Sequence, residues 1–314
     1  MSLPGTSLPG TTGSVGIVLV NYNGLRFMPE CLESLARIDY AEARIVLVDN
    51  ASADGSVAWV RQHFPSVEII ALPTNTGITG GNNAGMSWCL AHDCDSILLL
   101  NNDTVVQPDF LTRLMQEAEP DCLLVPKIFF HDRPQTVNNH FGGFDYRRGL
   151  HRDWFYGKPD GDASREVRLG TMANTCALLI PRPAIERIGN MDDRFFIYYD
   201  DTDFLTRAVR QGYRIKFVPT AVIHHKESSS SGGSLSPLVV YYTNRNRLFF
   251  MSKHQRNGVV LAFFLAYYFA GRVAWALIQL AQGRPRLIRA LANAVWDFQR
   301  RRLGYAAPER FISD

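Results

Sequence analysis

Acidic side chains follow two apolar, β-branched runs in the N-terminal half of the chain. Asp49 ends the run ARIVLVD, and Asp103 follows the run SILLLNN. The carboxyl ends of parallel strands meet at one edge of a sheet, where open α/β sheets bind their ligands. Either acid alone is more often a turn residue or a helix N-cap. Two acids at equivalent strand ends predict a site for a metal ion or a phosphate group.

A second acidic cluster and a histidine lie further along the chain. Asp200, Asp201 and Asp203 follow the aromatic run FFIYY, and His225 lies beyond the next predicted strand. Three acids at a helix start can simply bond the free N–H groups of the first turn. A carboxylate beside apolar walls, however, has a raised pKa and suits general-base catalysis. The intervening strand can return His225 to the same edge of the sheet.

The segment TNTGITGGNNAG (74–85) is rich in glycine and asparagine and opens a predicted helix. Its glycines permit close backbone approach, and its amides could bind an anion or sugar hydroxyls. The spacing matches neither GxGxxG nor GxxxxGK[ST], so the sequence supports neither a dinucleotide-binding fold nor a P-loop kinase. The candidate binding residues of this segment are Asn75, Gly77 and Asn82.

The first 120 residues provide elements that can bring these side chains together. Apolar runs at 15–22, 43–50, 67–72 and 96–103 alternate with amphipathic stretches. This alternation is typical of βαβ units on a parallel sheet. The predicted helices cover residues 25–38, 56–64 and 80–92.

The periodicity weakens after residue 120. Strand-like CLLVPKIFF and CALLIP flank a Gly/Asp/Arg-rich stretch, and we expect residues 142–170 to form an extended loop region lining a cleft. A helix is predicted from about residue 201 and a strand over 214–219. The run SSSSGGSLS (228–236) predicts a flexible loop or hinge.

The composition indicates an ordered globular protein of 314 residues, with 46% hydrophobic and 20% charged residues. Its five cysteines are scattered and never spaced as CxxC, which disfavours a disulfide scaffold or a four-cysteine zinc site and fits a reducing cytosolic compartment. Residues 1–14 contain neither a basic start nor an apolar run, so they are predicted to be a disordered leader rather than a signal peptide.

The net charge of +3 hides a basic C-terminal region. Residues 245–302 contain eleven Lys or Arg and one acid, Asp297. No nucleic-acid recognition motif accompanies them. Within the apolar stretch 258–282, the uninterrupted run before Arg272 is shorter than the ~20 residues that a membrane span needs. We expect this region to lie on an anionic membrane surface, with a span or ordinary packing helices as the alternatives.

Six motifs follow one another along the chain: NYNG (21–24), VDNASADGS (48–56), NTGITGGNNAG (75–85), LLNNDT (99–104), FFIYYDDTDFLTRAVRQGYRI (195–215) and VPTAVIHH (218–225). In this order they resemble glycosyltransferase family 2, and in particular its bacterial rhamnosyltransferase-like and galactofuranosyltransferase-like branch. The resemblance covers about residues 15–250, and its specificity comes from the six motifs together.

The resemblance implies the GT-A fold, an α/β fold with a Rossmann-like mixed sheet flanked by helices. It implies a GT-A domain over 15–250, divided into a nucleotide-sugar-binding half (15–120) and an acceptor-binding half (121–250). Residues 251–314 would follow as an appendage of basic amphipathic helices that associate with the membrane.

The resemblance also implies roles for the donor-binding residues. Asp49 matches the acid that hydrogen-bonds the pyrimidine base, with Asn21 and Asn75 close to the nucleotide. Asp103 matches the final acid of the DxD motif, which binds a divalent metal on the donor diphosphate. The first DxD position is Asn101 here, so we expect modest affinity for Mg²⁺ or Mn²⁺ in the absence of donor.

The remaining roles concern catalysis and the acceptor. Asp201 matches the general base, and His225 matches a histidine that joins metal or diphosphate binding. Asp200 replaces the usual glutamate, so the base role could be shared with it or shifted to it. Trp154, in the 131–170 loop, is a candidate acceptor contact.

The implied function is inverting, metal-dependent sugar transfer from a nucleoside-diphosphate sugar to a lipid-linked or polysaccharide acceptor. We favour dTDP-rhamnose as donor, with UDP-galactofuranose or another UDP-hexose as alternatives, and the cytoplasmic membrane surface as location. Two other functions remain open. A sugar-nucleotide nucleotidyltransferase would need a basic Gly-rich N-terminal loop that this sequence lacks, and a non-catalytic sugar-binding scaffold would not need Asp103, Asp201 and His225 together.

Overall fold

Strands and helices alternate through the first part of the chain in the computed structural model, which describes residues 13–226 and 235–311. The strands are β1 (Val15–Asn21), β2 (Ala43–Asp49), β3 (Glu68–Ala71), β4 (Ser96–Asn101) and β5 (Thr104–Val106). The helices are α1 (Met28–Leu35), α2 (Ser56–His63), α3 (Gly77–Ala91) and α4 (Phe110–Gln116). The predicted βαβ alternation is therefore confirmed, with α1 shorter than expected because residues 25–27 form a 3-10 turn.

The second part of the chain holds more strands than the sequence predicts. Its strands are β6 (Cys122–Phe130), β7 (Gly142–Asp145), β8 (Leu150–Asp153), β9 (Arg168–Gly170), β10 (Ala177–Pro181) and β11 (Arg214–His225). Its helices are α5 (Arg182–Ile188), α6 (Asp200–Arg210), α7 (Pro237–His254), α8 (Gly258–Ala281) and α9 (Pro285–Gln299). The prediction that 142–170 is an extended loop was wrong, because β7 and β8 form a hairpin and β9 pairs with β11.

One mixed sheet joins both parts in the order β3-β2-β1-β4-β10-β6-β11-β5. Strands β3, β2, β1 and β4 are parallel. Strand β10 is antiparallel to both β4 and β6, while β11 is parallel to β6. Strands β1, β2, β4 and β11 consequently all end at the same edge of the sheet, which we call the ligand edge.

Helices cover both faces of this sheet, which explains why β1 is buried along almost its whole length. Helix α3 lies against β1 at a glycine. A Cβ at Gly85 would lie only 2.2 Å from a methyl carbon of Val18. Because Gly85 has no side chain, α3 can pack closely against β1, and the start of α3 then lies near the ligand edge.

The three C-terminal helices differ in burial. Helix α7 is largely buried and packs against α9. Helix α8 has few buried residues and exposes apolar side chains along its length. At 24 residues it is long and apolar enough to cross a membrane, and only 11% of its most apolar window is buried. Arg272 therefore interrupts the apolar run without ending the helix.

The ends of the predicted segments lie as follows. Residues 1–12 of the predicted leader and most of the predicted hinge at 228–236 are outside the described residues. Ser14 is held in place, because its backbone N–H donates to Asp95 Oδ2 at 2.8 Å. The predicted domain limit at residue 250 falls inside the continuous helix α7. All five cysteines lie within the described residues, where they are buried and form no disulfide.

Candidate active site

Asn21 and Asp49 end β1 and β2 directly opposite each other. The Asn21 amide nitrogen donates to Asp49 Oδ1 at 3.0 Å, and also lies within hydrogen-bond distance of the Ser52 and Ser56 hydroxyls. Its oxygen accepts from the Asn102 amide at 2.8 Å. Asn21 is fully buried and Asp49 is 3% exposed. Asn21 thus links the end of β2 to the loop that follows β4.

The predicted residues Asn75 and Gly77 shape the turn into α3. Asn75 Oδ1 accepts from the Gly77 N–H at 2.8 Å. Gly77 has φ of +74°, and a Cβ there would lie 2.2 Å from the Phe196 carbonyl oxygen. Asn50, which sequence reasoning missed, donates to the Gly77 carbonyl oxygen at 2.8 Å and accepts from the Thr76 N–H at 3.1 Å. The contact with Phe196 joins this turn to the loop before α6.

Asn82 has a different environment from the other predicted donor residues. It is buried in α3, and its amide is directed to Met191 Sδ at 3.7 Å. The neighbouring Asn83 donates to the Met191 carbonyl oxygen and to Asp193 Oδ1. Both amides therefore fasten α3 to the 191–193 segment. The structure does not bring Asn82 into the Asn21–Asp49 cluster.

Asp103 and His225 meet although 122 positions separate them in the sequence. Strand β5 pairs with the end of β11, with Thr104 opposite His225. His225 Nε2 lies 3.1 Å from Asp103 Oδ1. The Asn101 amide nitrogen lies 3.4 Å from the same ring nitrogen. The predicted metal-binding pair and the altered DxD position thus form one cluster at the ligand edge.

The Asp103–His225 pair suits a divalent cation. Burial opposes the charged imidazole, but neighbouring Cys176 and the hydrogen bond to Asp103 raise the pKa of His225 well above its ordinary value. A cation at this position would replace the imidazole proton, as metal binding to histidine generally does. A carboxylate oxygen and an imidazole nitrogen are ligands that Mn²⁺ accepts.

Asn138 contacts the other nitrogen of the His225 ring. Its amide nitrogen lies 3.3 Å from His225 Nδ1, and its amide oxygen is buried without a partner. The two amide orientations have the same shape, so a flip places the oxygen on Nδ1–H. That bond would hold Nε2 as a lone-pair donor, the arrangement found around metal-ligating histidines.

Within residues 13–226 and 235–311, no group of three or more His, Cys, Asp or Glu side chains gathers to hold a metal. The remaining ligands would come from the bound substrate and water.

Asp200 and Asp201 start helix α6 in different environments. Asp200 is 3% exposed, and burial together with the neighbouring Asp201 charge raises its pKa well above the ordinary value. Asp201 is half-buried, and its Oδ1 accepts from the Thr202 N–H at 2.6 Å and the Thr202 hydroxyl at 3.0 Å. The raised pKa expected for an acid beside the aromatic run therefore belongs to Asp200.

The loop before these acids has a strained backbone. Left-handed φ angles near +65° occur at Phe196, Tyr198 and Tyr199. Such angles at bulky residues persist only where the surroundings enforce them. Here Asn246 of α7 enforces them, because its amide nitrogen lies 2.8–2.9 Å from the carbonyl oxygens of Phe195, Ile197 and Tyr198. The position of the acids thus depends on a C-terminal helix.

Sequence reasoning missed a hydrogen-bond chain that reaches Asp201 from the β7–β8 hairpin. His151 Nε2 lies 2.9 Å from the Thr202 hydroxyl, which donates to Asp201 Oδ1. Burial lowers the pKa of His151, although Asp201 and Asp153 act in the opposite direction. Because the hydroxyl has one proton to donate, it accepts from a neutral His151. No motif signals this contact, since His151 lies in the stretch that was interpreted as a loop.

Asp203, the third acid of the cluster, has a structural role. It is fully buried and forms ion pairs with Arg207 at 2.9 Å, Lys253 at 2.5 Å and His254 at 2.7 Å. These pairs lower its pKa despite burial. Asp203 thereby ties α6 to the end of α7.

Trp154, the candidate acceptor contact, follows β8 and is 39% exposed. The rings of Trp154 and the buried Phe141 are nearly perpendicular, with their centroids 5.4 Å apart. The core therefore supports one side of Trp154 while part of its ring remains accessible. An acceptor role for Trp154 stays a prediction.

Comparison with known proteins adds an independent observation to this geometry. The family model described as "Glycosyl transferase family 2" matches residues 16–187, more than half of the chain. The chain belongs to this family. It is a glycosyltransferase, and its mixed sheet is the core of the GT-A fold.

Relatives of this glycosyltransferase include sugar transferases of bacteria. It is 24% identical over 246 residues to the N-acetylglucosaminyl-diphospho-decaprenol L-rhamnosyltransferase of Mycobacterium tuberculosis, covering 68% of this chain and 76% of the relative. It is 22% identical over 178 residues to the dTDP-rhamnosyl transferase RfbF of Shigella flexneri, covering 56% and 57%. The expected rhamnosyltransferase-like branch is thereby supported.

A solved structure agrees with the fold. The mannosyltransferase PcManGT from Pyrobaculum calidifontis, in complex with GDP-Man and Mn²⁺, aligns with a TM-score of 0.55 at 16% identity, covering 94% of this glycosyltransferase and 91% of the solved chain. At this identity the likeness concerns the fold alone. It extends over the C-terminal helices as well as the sheet.

Proposed function

We propose that this glycosyltransferase moves a sugar, with inversion of the anomeric configuration, from a nucleoside-diphosphate sugar to an acceptor hydroxyl. The observation that carries the proposal is that the Asn21–Asp49 and Asp103–His225 clusters lie at one sheet edge, while the loop that leads to Asp201 contacts the turn into α3. Asn21–Asp49 would bind the nucleotide base, Asp103–His225 the diphosphate through a metal, and Asp201 the acceptor hydroxyl. The Asn102–Asn21 bond and the Gly77–Phe196 contact connect the three clusters.

The residues of the chain would divide the reaction between them. Asp201 takes the proton of the attacking hydroxyl, so that the oxygen bonds to the anomeric carbon as the bond to the diphosphate breaks. Because both Thr202 contacts involve Oδ1, we assign proton transfer to Oδ2. Asp103 and His225 would hold Mn²⁺ or Mg²⁺, which neutralises the departing diphosphate. A single displacement of this kind needs no covalent intermediate.

The donor we favour is dTDP-rhamnose. The names of two relatives, a dTDP-rhamnosyl transferase and a rhamnosyltransferase, support it. Asp49 can accept from N3–H of thymine or uracil alike, so it does not separate dTDP- from UDP-sugars. UDP-galactofuranose and other UDP-hexoses are the alternative donors.

The acceptor we favour is a polyprenyl-linked sugar at the cytoplasmic membrane surface. The name of the mycobacterial relative includes diphospho-decaprenol. Helix α8 supports the location, since Val273, Leu277 and Leu280 each expose more than half of their side chains.

Flotation with anionic vesicles tests whether α8 binds the membrane. Leu277→Ser with Leu280→Ser should reduce the bound fraction, whereas the control Leu169→Ser on β9 should not, and equal flotation of all three proteins would refute membrane binding through α8.

The experiment for the catalytic proposal is hydrolysis of a panel of UDP-, dTDP- and GDP-sugars, with and without Mn²⁺, measured as released nucleoside diphosphate. We expect one metal-dependent donor, and dTDP-rhamnose to be that donor. Without acceptor the rate will be low, so thermal stabilisation by each nucleoside diphosphate with Mn²⁺ is measured in parallel. No release and no metal-dependent stabilisation across the panel would refute the donor site.

A further inference from the structure

A cavity of about 350 Å³ lies between α7, α8 and the β7–β8 hairpin. It is far larger than the roughly 15 Å³ that one ordered water requires. Its wall carries two arginines, Arg247 from α7 and Arg272 from α8, with tyrosine and asparagine side chains between them. This cavity is separate from the Asn21–Asp49 and Asp103–His225 clusters.

The two arginines lack the partners that buried cations usually have. Arg247 is only 7% exposed, and its Nε has no hydrogen-bond partner; Arg272 Nε is likewise buried and unpartnered. Neither guanidinium forms an ion pair with any carboxylate in the part of the chain that the structure describes. Arg247 makes one bond to the Arg148 carbonyl oxygen and lies over the rings of Phe264 and Tyr268.

A buried cation and a half-buried one that share a cavity without a carboxylate partner are unfavourable unless an anion joins them. Burial lowers the pKa of Arg247, and the charge of the nearby Arg272 acts in the same direction, although Tyr199 opposes it. Guanidinium groups bind phosphate oxygens through paired N–H donors, and such charge-assisted bonds are the strong ones. The cavity therefore has the chemistry of a phosphate or diphosphate site.

The cavity is connected to the base that we assign. Tyr199 lines it two residues before Asp201, and Leu150 lines it next to His151. The Tyr199 hydroxyl donates to the Gly149 carbonyl oxygen at 2.9 Å, which fixes the ring in the wall. Tyr199 also interacts electrostatically with Asp201 and with both arginines. An anion bound here would therefore contact the segment that carries the assigned base.

An apolar groove lies on the other side of Arg272. Arg272 borders both the cavity and a groove of about 370 Å³ between α8 and α9. The groove is lined mostly by apolar side chains, among them Phe269, Val273, Leu291 and Trp296. A cationic cavity and an apolar groove that share Arg272 at their border match a molecule that has an anionic head and a hydrocarbon chain.

We propose that the Arg247–Arg272 cavity binds the diphosphate of a polyprenyl-linked acceptor, with the isoprenoid chain in the α8–α9 groove and the sugar directed to Asp201. This inference rests on the proposed function for the identity of the acceptor. It assigns to α7 and α8 a direct part in substrate binding, in addition to the membrane attachment proposed for α8.

The test is calorimetric titration of the full chain with geranylgeranyl diphosphate and, separately, with inorganic pyrophosphate. EDTA is present, so that a diphosphate cannot bind at Asp103–His225 through a metal. We expect geranylgeranyl diphosphate to bind more tightly than pyrophosphate, because only the former fills the groove. Equal affinities would overturn the lipid assignment.

Arg272→Gln is the decisive variant, since Arg272 is half-buried and its loss does not open the core. It should weaken geranylgeranyl diphosphate binding on the order of 10-fold or more, the scale of a lost charge-assisted hydrogen bond. Arg256→Gln, which removes the same charge from an exposed position just before α8, is the matched control and should bind as the unchanged protein does. Arg272→Lys should restore part of the affinity. Equal binding by Arg272→Gln and Arg256→Gln would overturn the assignment of the cavity.

A separate titration keeps this inference distinct from the proposed function. UDP and dTDP are added with Mn²⁺ in the absence of lipid, which reports on the donor site alone. Arg272-dependent lipid binding without any nucleotide binding would refute the donor site and leave the cavity as an anionic-lipid site. If nucleotides bind and lipid binding does not depend on Arg272, the assignment of the cavity as a lipid diphosphate site is refuted, while the proposed transferase function stands.

Discussion

Replacing Asp201 by asparagine removes the proposed proton acceptor while it preserves the shape of the side chain and its hydrogen bonds. Asparagine has the same shape, and its side-chain oxygen can still accept from the Thr202 N–H and hydroxyl, which lie 2.6 and 3.0 Å from Oδ1. The start of α6 should therefore keep its geometry. The variant loses the negative charge and the basic oxygen.

The expected effect is a loss of turnover of 10²–10⁴-fold, the range typical of a missing general base. This corresponds to about 2.7–5.5 kcal/mol of transition-state stabilisation. Stability should not fall, because the Asp201 charge raises the pKa of the buried Asp200 and its removal relieves that repulsion. Donor affinity should change little, since Asp49, Asp103 and His225 are on other elements.

The assay measures sugar transfer to a synthetic lipid-linked acceptor at saturating donor, with dTDP and Mn²⁺ titrated in parallel. Asp200→Asn serves as the comparison, because it makes the same chemical change one residue earlier, at the buried position. Turnover of Asp201→Asn within a few-fold of the unchanged protein would remove Asp201 from the base role. A large loss in Asp200→Asn alone would move the role to Asp200.

Three further outcomes follow from the contacts of the site. Asp103→Asn and His225→Ala should each weaken Mn²⁺-dependent binding of dTDP by about 10-fold or more, because a hydrogen bond to a charged group contributes about 1.5–3 kcal/mol. Calorimetric titrations identical to those of the unchanged protein would refute the assignment of these two residues as metal ligands. Asp200→Asn should stabilise the fold at neutral pH. The pKa of Asp200 in the folded protein is raised above 3.8, so the native protein loses stability as pH rises through that pKa. Urea unfolding should show a gain in the free energy of unfolding that shrinks toward pH 4, and a pH-independent difference would contradict the reasoning. Thr202→Val removes the hydroxyl between His151 and Asp201 and should lower kcat by roughly 10-fold with donor KM unchanged, whereas a changed donor KM at normal kcat would show that the hydroxyl has another role.

The ligand edge of the sheet could be predicted because its signals are local. Each of β1, β2 and β4 is a short apolar run that ends in a polar residue, and parallel pairing then brings Asn21, Asp49 and Asn101 together. His225 could be placed at the same edge because only one strand separates it from α6. The motif order supplied the family, and the comparisons confirm it.

The contacts that complete the site could not be predicted. Asn138, which touches His225, and His151, which reaches Thr202, lie 87 and 51 positions from their partners. Nothing in their local sequence distinguishes them from surface polar residues. His151 lies on the short strand β8, and Asn138 lies before β7, where its N–H donates to the Ile128 carbonyl oxygen at 2.7 Å. Both positions depend on pairing across the chain. The same holds for Arg247 and Arg272, whose shared cavity exists only once α7 and α8 have packed.

The bonds from Asn246 to the loop before Asp200 have a consequence for how such proteins can be recombined. A catalytic half that ended before residue 237 would lack the side chain that holds three carbonyl oxygens of the 195–198 loop. The family match at 16–187 ends well short of this helix. The C-terminal helices are therefore not an interchangeable anchor. They must be inherited together with the acids that they hold in place.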